Sequence, residues 1–122
     1  MNAFCWLLLG HLLGDWLLQN DWMARGKRGR LLTLPGLVHC TIYTATLVGA
    51  AWISGIRGRG PAFYLAFAAV ALASHWLIDA GDGAGHWMRL LRQSHLEAIR
   101  MMVDQVLHLL VLVILTVLSI GV

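Results

Sequence analysis

Four long apolar stretches, separated by short polar breaks, set the pattern of this chain. They run from about 2 to 22, 35 to 56, 61 to 80 and 98 to 121. Each comes close to the roughly 20 residues that a helix needs to cross the hydrocarbon core of a bilayer. Pro35 and Pro61 open the second and third stretches, where a missing backbone N–H costs a helix nothing. The third stops at Gly81-Asp82-Gly83-Ala84-Gly85. Open sheet edges cannot sit in lipid, and four short segments cannot close a barrel. The pattern therefore predicts an all-α integral membrane protein, a four-helix bundle with short loops and antiparallel neighbours. The whole chain, 1–122, reads as one transmembrane domain.

Composition agrees. Hydrophobic residues make up 59% of the chain and charged residues only 12%, against about 25% in soluble domains. The net charge is +3, but the basic residues lie in loops without interleaved aromatics, so no nucleic-acid partner is expected. Membrane lipids are the expected surroundings. A homo-oligomer is compatible with the pattern, and nothing identifies a soluble partner.

The first loop holds Arg25, Lys27, Arg28 and Arg30, and the third holds Arg89 and Arg92 with Arg100 at its end. The second loop holds only Arg57 and Arg59. The positive-inside rule places the first and third loops in the cytoplasm and both termini outside. The first-loop cations could also attract anionic head groups. Trp22 and Trp87 suit an interfacial belt, and Trp87 to Arg92 suit a short amphipathic surface segment. The first stretch lacks a basic lead and a small-residue cleavage site, so it does not read as a signal peptide. Cys5 and Cys40 stand alone in apolar runs and read as buried small hydrophobes. Gly10 and Gly14 form a GxxxG that predicts close helix packing.

Polar residues inside the apolar stretches change the picture. An ionisable group within a span costs roughly 2.5–3.5 kcal/mol on insertion scales. This chain keeps His11, Asp15, His39, His75, Asp79, Asp104 and His108. Six of them form pairs four apart: His11/Asp15, His75/Asp79 and Asp104/His108. That spacing puts both members of a pair on one helix face. With the predicted orientation, all seven fall in the inner half of the bilayer, on all four helices. One shared cluster is predicted. Gln19, Gln105 and Tyr43 are candidates to orient a ligand or bind substrate. Asp82 and His86 would extend the third-span stripe only if that helix continued through the glycines. His95 reads as a solvated loop residue.

Imidazoles with carboxylates make an N/O donor set suited to zinc, iron or manganese. Seven ligands exceed what one tetrahedral zinc takes, so a dinuclear site with ions about 3.5–4 Å apart fits. A bis-His haem would leave three aspartates unexplained. A proton-linked or substrate-binding polar network is the other reading.

The run His11-Leu-Leu-Gly-Asp15-Trp-Leu-Leu-Gln19, the lone His39, His75-Trp-Leu-Ile-Asp79 and Asp104-Gln105-Val-Leu-His108 resemble a bacterial family of small inner-membrane proteins of unknown function. The shared pattern is HxxxDxxxQ…HxxxD…DQxxH, and it implies a multi-pass protein of the bacterial inner membrane. A more distant similarity is to predicted membrane-bound metal-dependent hydrolases. The leading expectation is a membrane-embedded divalent-metal protein, a hydrolase acting at the cytoplasmic leaflet on a lipid-like or phosphorylated substrate. The alternatives are a metal-ion or proton-linked transport or sensing component, and a structural membrane subunit with a buried His/Asp core. The residues name no catalytic base.

Overall fold

The computed structural model describes residues 1–56, 59–93 and 95–120. Its elements are helical. They are α1 (Ala3–Leu12), a π-helical turn (Leu13–Leu17), α2 (Asp21–Gly26), α3 (Leu34–Ile53), α4 (Pro61–Ala80), α5 (Gly83–Leu90) and α6 (Glu97–Ile120). Among the described residues three helices, α3, α4 and α6, are long and apolar enough to cross a membrane.

The first stretch is shorter than its apolar residues suggest. α1 and the π turn end at Leu17, and Ala3–Leu17 rises only about 20 Å. The chain then turns. Asn20 adopts an extended conformation, and its side chain accepts from the Met23 backbone N–H at 3.0 Å, which starts α2. The expected single span to Trp22 is thus divided by a helix cap. Local chemistry also sets α3, where Thr33 Oγ1 accepts from Gly36 N–H at 3.1 Å ahead of Pro35 in the first turn.

The third span ends at Ala80, as its glycines predict. Asp82 takes up a left-handed conformation, with φ of 52°, and its carboxylate caps α5 through Gly85 N–H. Asp82 also pairs with Arg100 and, at 3.7 Å, with Arg89. It therefore leaves the His75/Asp79 stripe, and His86 and His95 are exposed. The amphipathic stretch expected after the glycines is helical in its first part. α5 buries Met88 against the protein and exposes Trp87 and Leu90. Arg28 donates to Glu97 at 2.6 Å, which ties the first loop to the start of α6 at the same end of the molecule.

α3 packs against α1, the π turn and α4, and α6 packs against α4 and α1. Gly10 and Gly14 lie at the α1–α3 contact. A Cβ on Gly10 would fall 2.8 Å from Ala50 Cβ, and one on Gly14 would fall 2.9 Å from Tyr43 Cα. The GxxxG is a backbone-approach surface, as expected. Leu7, Tyr43, Leu47, Phe67, Ala71, Leu112 and Leu115 form the apolar core. Each inner stripe then turns polar at the next step of four residues. Leu7 is followed by His11, Ala71 by His75 and then Asp79, and Tyr43 and Leu112 are preceded by His39 and His108. The outward faces carry exposed Leu65, Val70, Leu110, Val113, Ile114 and Val117, which suits lipid. Cys40 is buried, whereas Cys5 is exposed on the outer face of α1, contrary to its expected burial.

Candidate metal centre

The polar end of the core gathers side chains from every long helix. His11, Asp15, His39, His75, Asp79 and His108 are all buried, and Asp104 is half-buried. One donor group consists of Asp15, His39, His75 and Asp79, with one ligand atom from each lying within 4.8 Å of all the others. The measured edges are short. His39 Nε2 lies 3.2 Å from Asp15 Oδ1 and 3.4 Å from Asp79 Oδ2. His75 Nε2 lies 3.3 Å from Asp79 Oδ2, 3.9 Å from Asp15 Oδ1 and 2.8 Å from His39 Nε2. Metal–ligand bonds of about 2.0–2.1 Å place the corners of a tetrahedron some 3.3–3.4 Å apart. Two imidazoles and two carboxylates thus converge at the spacing of a coordination shell.

A second group, Asp15, Asp104 and His108, shares Asp15 with the first. His108 is held in a ligand-ready form. Its Nδ1–H donates to the Asp104 carbonyl at 2.8 Å, so Nε2 carries the lone pair. Among the described residues that Nε2 has no hydrogen-bond partner, and it is buried 3.7 Å from Asp79 Oδ1. The Nδ1 atoms of His39 and His75 also lack partners among the described residues.

His11 joins the cluster but stands outside both donor groups, and its two ring nitrogens are engaged elsewhere. Gln105 Nε2 donates to Asp15 Oδ2 at 2.9 Å. That turns Gln105 Oε1 towards His11 Nε2 at 3.0 Å, where the imidazole must donate. His11 Nδ1 is then the acceptor for the Tyr43 hydroxyl at 3.3 Å. A Tyr43–His11–Gln105–Asp15 relay therefore fixes one oxygen of Asp15 and leaves Oδ1 to face the donor group. Tyr43 also stacks on His75, with ring centroids 3.6 Å apart and planes 9° from parallel. The π turn separates the roles of His11 and Asp15, which a regular helix would keep on one stripe.

Lys27 also belongs to the cluster, which its place in a basic loop does not suggest. It was expected to be a loop cation and is instead only 6% exposed. Its Nζ lies 3.0 Å from Asp15 Oδ1, 2.9 Å from Asp79 Oδ2 and 3.1 Å from His39 Nε2. Burial pulls its pKa down, but the carboxylates of Asp79 and Asp15 outweigh this and hold it above the ordinary lysine value. The available signal was compositional, since eight of the nine basic residues are arginine and Lys27 is the only lysine.

A cleft of 350 Å³ opens beside Asp15 between the π turn, α2 and α6. Gln19, Lys27, Arg28, Asp104 and Gln105 supply its polar lining, and exposed Trp16 and Met101 flank it. Gln19 Oε1 is buried there without a hydrogen-bond partner among the described residues.

No curated protein and no solved structure matches the chain. A family model described as "Protein of unknown function (DUF3307)" matches residues 3–122, and this chain, with its buried His/Asp cluster, belongs to that family.

Proposed function

We propose that this chain is a membrane-embedded divalent-metal protein in which Asp15, His39, His75 and Asp79 hold the ion. The observation that carries the reading is the convergence of these four side chains, from the π turn, α3 and α4, at coordination spacing. Random hydrogen bonding among buried polar groups would alternate donors with acceptors. Here two carboxylates and two imidazole nitrogens 2.8 Å apart crowd one point, and the Lys27 ammonium beside them offsets only one of the two carboxylate charges, which suits the group to a divalent ion. Asp15 is common to both donor groups, so it is placed to bridge to a second ion held with Asp104 and His108. Zinc, iron and manganese all suit the donor types.

The activity we infer is metal-dependent hydrolysis at the cytoplasmic leaflet. A bound divalent ion there would activate water and polarise a phosphoryl or acyl oxygen. The cleft beside Asp15 supports this, because a closed structural site needs no opening next to its ligands. Arg28, Gln19 and Gln105 give that cleft groups suited to an anionic, lipid-like or phosphorylated substrate. In this reading the π-broken first segment completes a four-helix membrane bundle with α3, α4 and α6. Both termini lie outside a bacterial inner membrane.

Purified protein, prepared without added metal or chelator, should be assayed on chromogenic phosphate mono- and diesters and on a carboxylic ester, in lipid vesicles. Turnover that is lost with chelator and restored by zinc or manganese supports hydrolysis. Tightly held metal without turnover on any of the three substrate classes would instead favour a structural core.

Lys27 carries a second reading. Its ammonium already neutralises part of the cluster, and a proton- or cation-linked transport component would use such a network without resident metal. Metal that binds weakly and exchanges within seconds would favour it.

A further inference from the structure

We propose that Lys27 is a built-in substitute cation, seated where the metal binds and expelled when the metal arrives. This rests on the metal-site reading above and adds a mechanism of loading to it. Three facts carry it. The Lys27 ammonium touches two of the four proposed ligands through their facing oxygens, Asp15 Oδ1 at 3.0 Å and Asp79 Oδ2 at 2.9 Å, and a third through His39 Nε2 at 3.1 Å. It hydrogen-bonds Asp15 Oδ1 and His39 Nε2 and ion-pairs with Asp79 Oδ2, so it sits against the same donor atoms that a metal would use. The charge count is incomplete with lysine in place. Asp15 and Asp79 carry two negative charges, the ammonium offsets one of them, and a divalent ion would offset both. The ammonium and a divalent ion also repel each other strongly at such separations, so they cannot share the donor group.

The displaced side chain has somewhere to go. Lys27 lines the 350 Å³ cleft that also holds Asp104 and the partnerless Gln19 Oε1. A swing of the flexible lysine stem into that cleft would exchange two carboxylates and an imidazole for a carboxylate and an amide oxygen. The lysine stem arises just after α2 rather than within a membrane helix, so it can move without unpacking the bundle. Arginine, the chain's choice at its other eight basic positions, would be a poor plug. Its planar fork holds carboxylates in bidentate pairs and is harder to displace.

The test uses zinc on the full chain in detergent micelles. Lys27→Met should bind Zn²⁺ at least tenfold more tightly than the unsubstituted protein, because no ammonium has to be removed. Lys27 should also become more reactive towards an amine-directed reagent when Zn²⁺ is added, by severalfold. It is the only lysine, so peptide mass spectrometry separates it from the N-terminal amine. This second readout needs no variant and holds even if Lys27→Met folds poorly. Unchanged or weaker zinc binding by a folded Lys27→Met, or a zinc-loaded protein whose lysine reactivity stays flat or falls, would overturn the displacement and leave the site standing. Absence of zinc binding by both proteins would overturn the site itself, and the displacement with it.

Discussion

Gln105 on α6 donates to Asp15 Oδ2 at 2.9 Å, and so orients a carboxylate ninety positions earlier in the chain. The same amide accepts from His11, which accepts from Tyr43. Partners that orient a metal ligand commonly govern affinity by 10–100-fold. Gln105→Leu should therefore weaken metal retention by about tenfold or more while the protein stays folded. Equilibrium dialysis against zinc, with circular dichroism as the folding control, checks this. Unchanged retention would show that Asp15 needs no such support.

Gly14 brings the π turn against the α3 backbone. Because a Cβ there would meet Tyr43 Cα at 2.9 Å, Gly14→Val should separate α1 from α3. Overpacking of this kind costs roughly 1–3 kcal/mol. A lowered melting temperature in detergent is expected, together with a loss of metal, since Tyr43 and Asp15 flank the same contact. Gly29, which has nothing near its Cβ position but has φ of 69°, is the contrasting case in the first loop. Substitution there should strain only the loop.

The Arg28–Glu97 pair is well formed at 2.6 Å but solvent-accessible on both sides. Such pairs contribute about 0–1 kcal/mol. Arg28→Ala should barely change thermal stability or metal content. If Arg28 recognises an anionic substrate from the cleft, KM should rise with kcat nearly unchanged. A large stability loss would show that the pair braces the first loop instead.

Orientation can be read by cysteine labelling. In a Cys5→Ala background, Ser54→Cys at the end of α3 should react with a membrane-impermeant maleimide in intact cells. Arg30→Cys, at the other end, should react only after permeabilisation. The reverse pattern would place the first and third loops outside.

The cluster was legible in the sequence because ionisable residues in apolar helices are costly and therefore stand out. The step of four residues gave the shared face of His75 and Asp79, and the same step links both to the core at Ala71. The break at Gly81–Gly85 was legible for a similar reason, since the left-handed Asp82 sits among residues that release the helix. Two things were hidden. Trp16, Leu17 and Leu18 continue the apolar run of α1, and the cap at Asn20 that stops it is a single side-chain bond. Lys27 was hidden by its neighbours, because Arg25, Arg28 and Arg30 make the whole loop look like a topology signal. Its being the only lysine hinted at a difference, and its packing against Asp15 and Asp79 shows what the difference is. The exposure of Cys5 has the plainer cause that a lipid-facing helix surface is as apolar as its core.

Elemental analysis of the purified protein, beside Asp79→Asn, tests the metal centre most directly. The unsubstituted protein is predicted to retain one to two equivalents of a divalent transition metal, and Asp79→Asn to lose most of it while remaining folded. Metal-free unsubstituted protein that also fails to take up zinc, iron or manganese would contradict the metal centre.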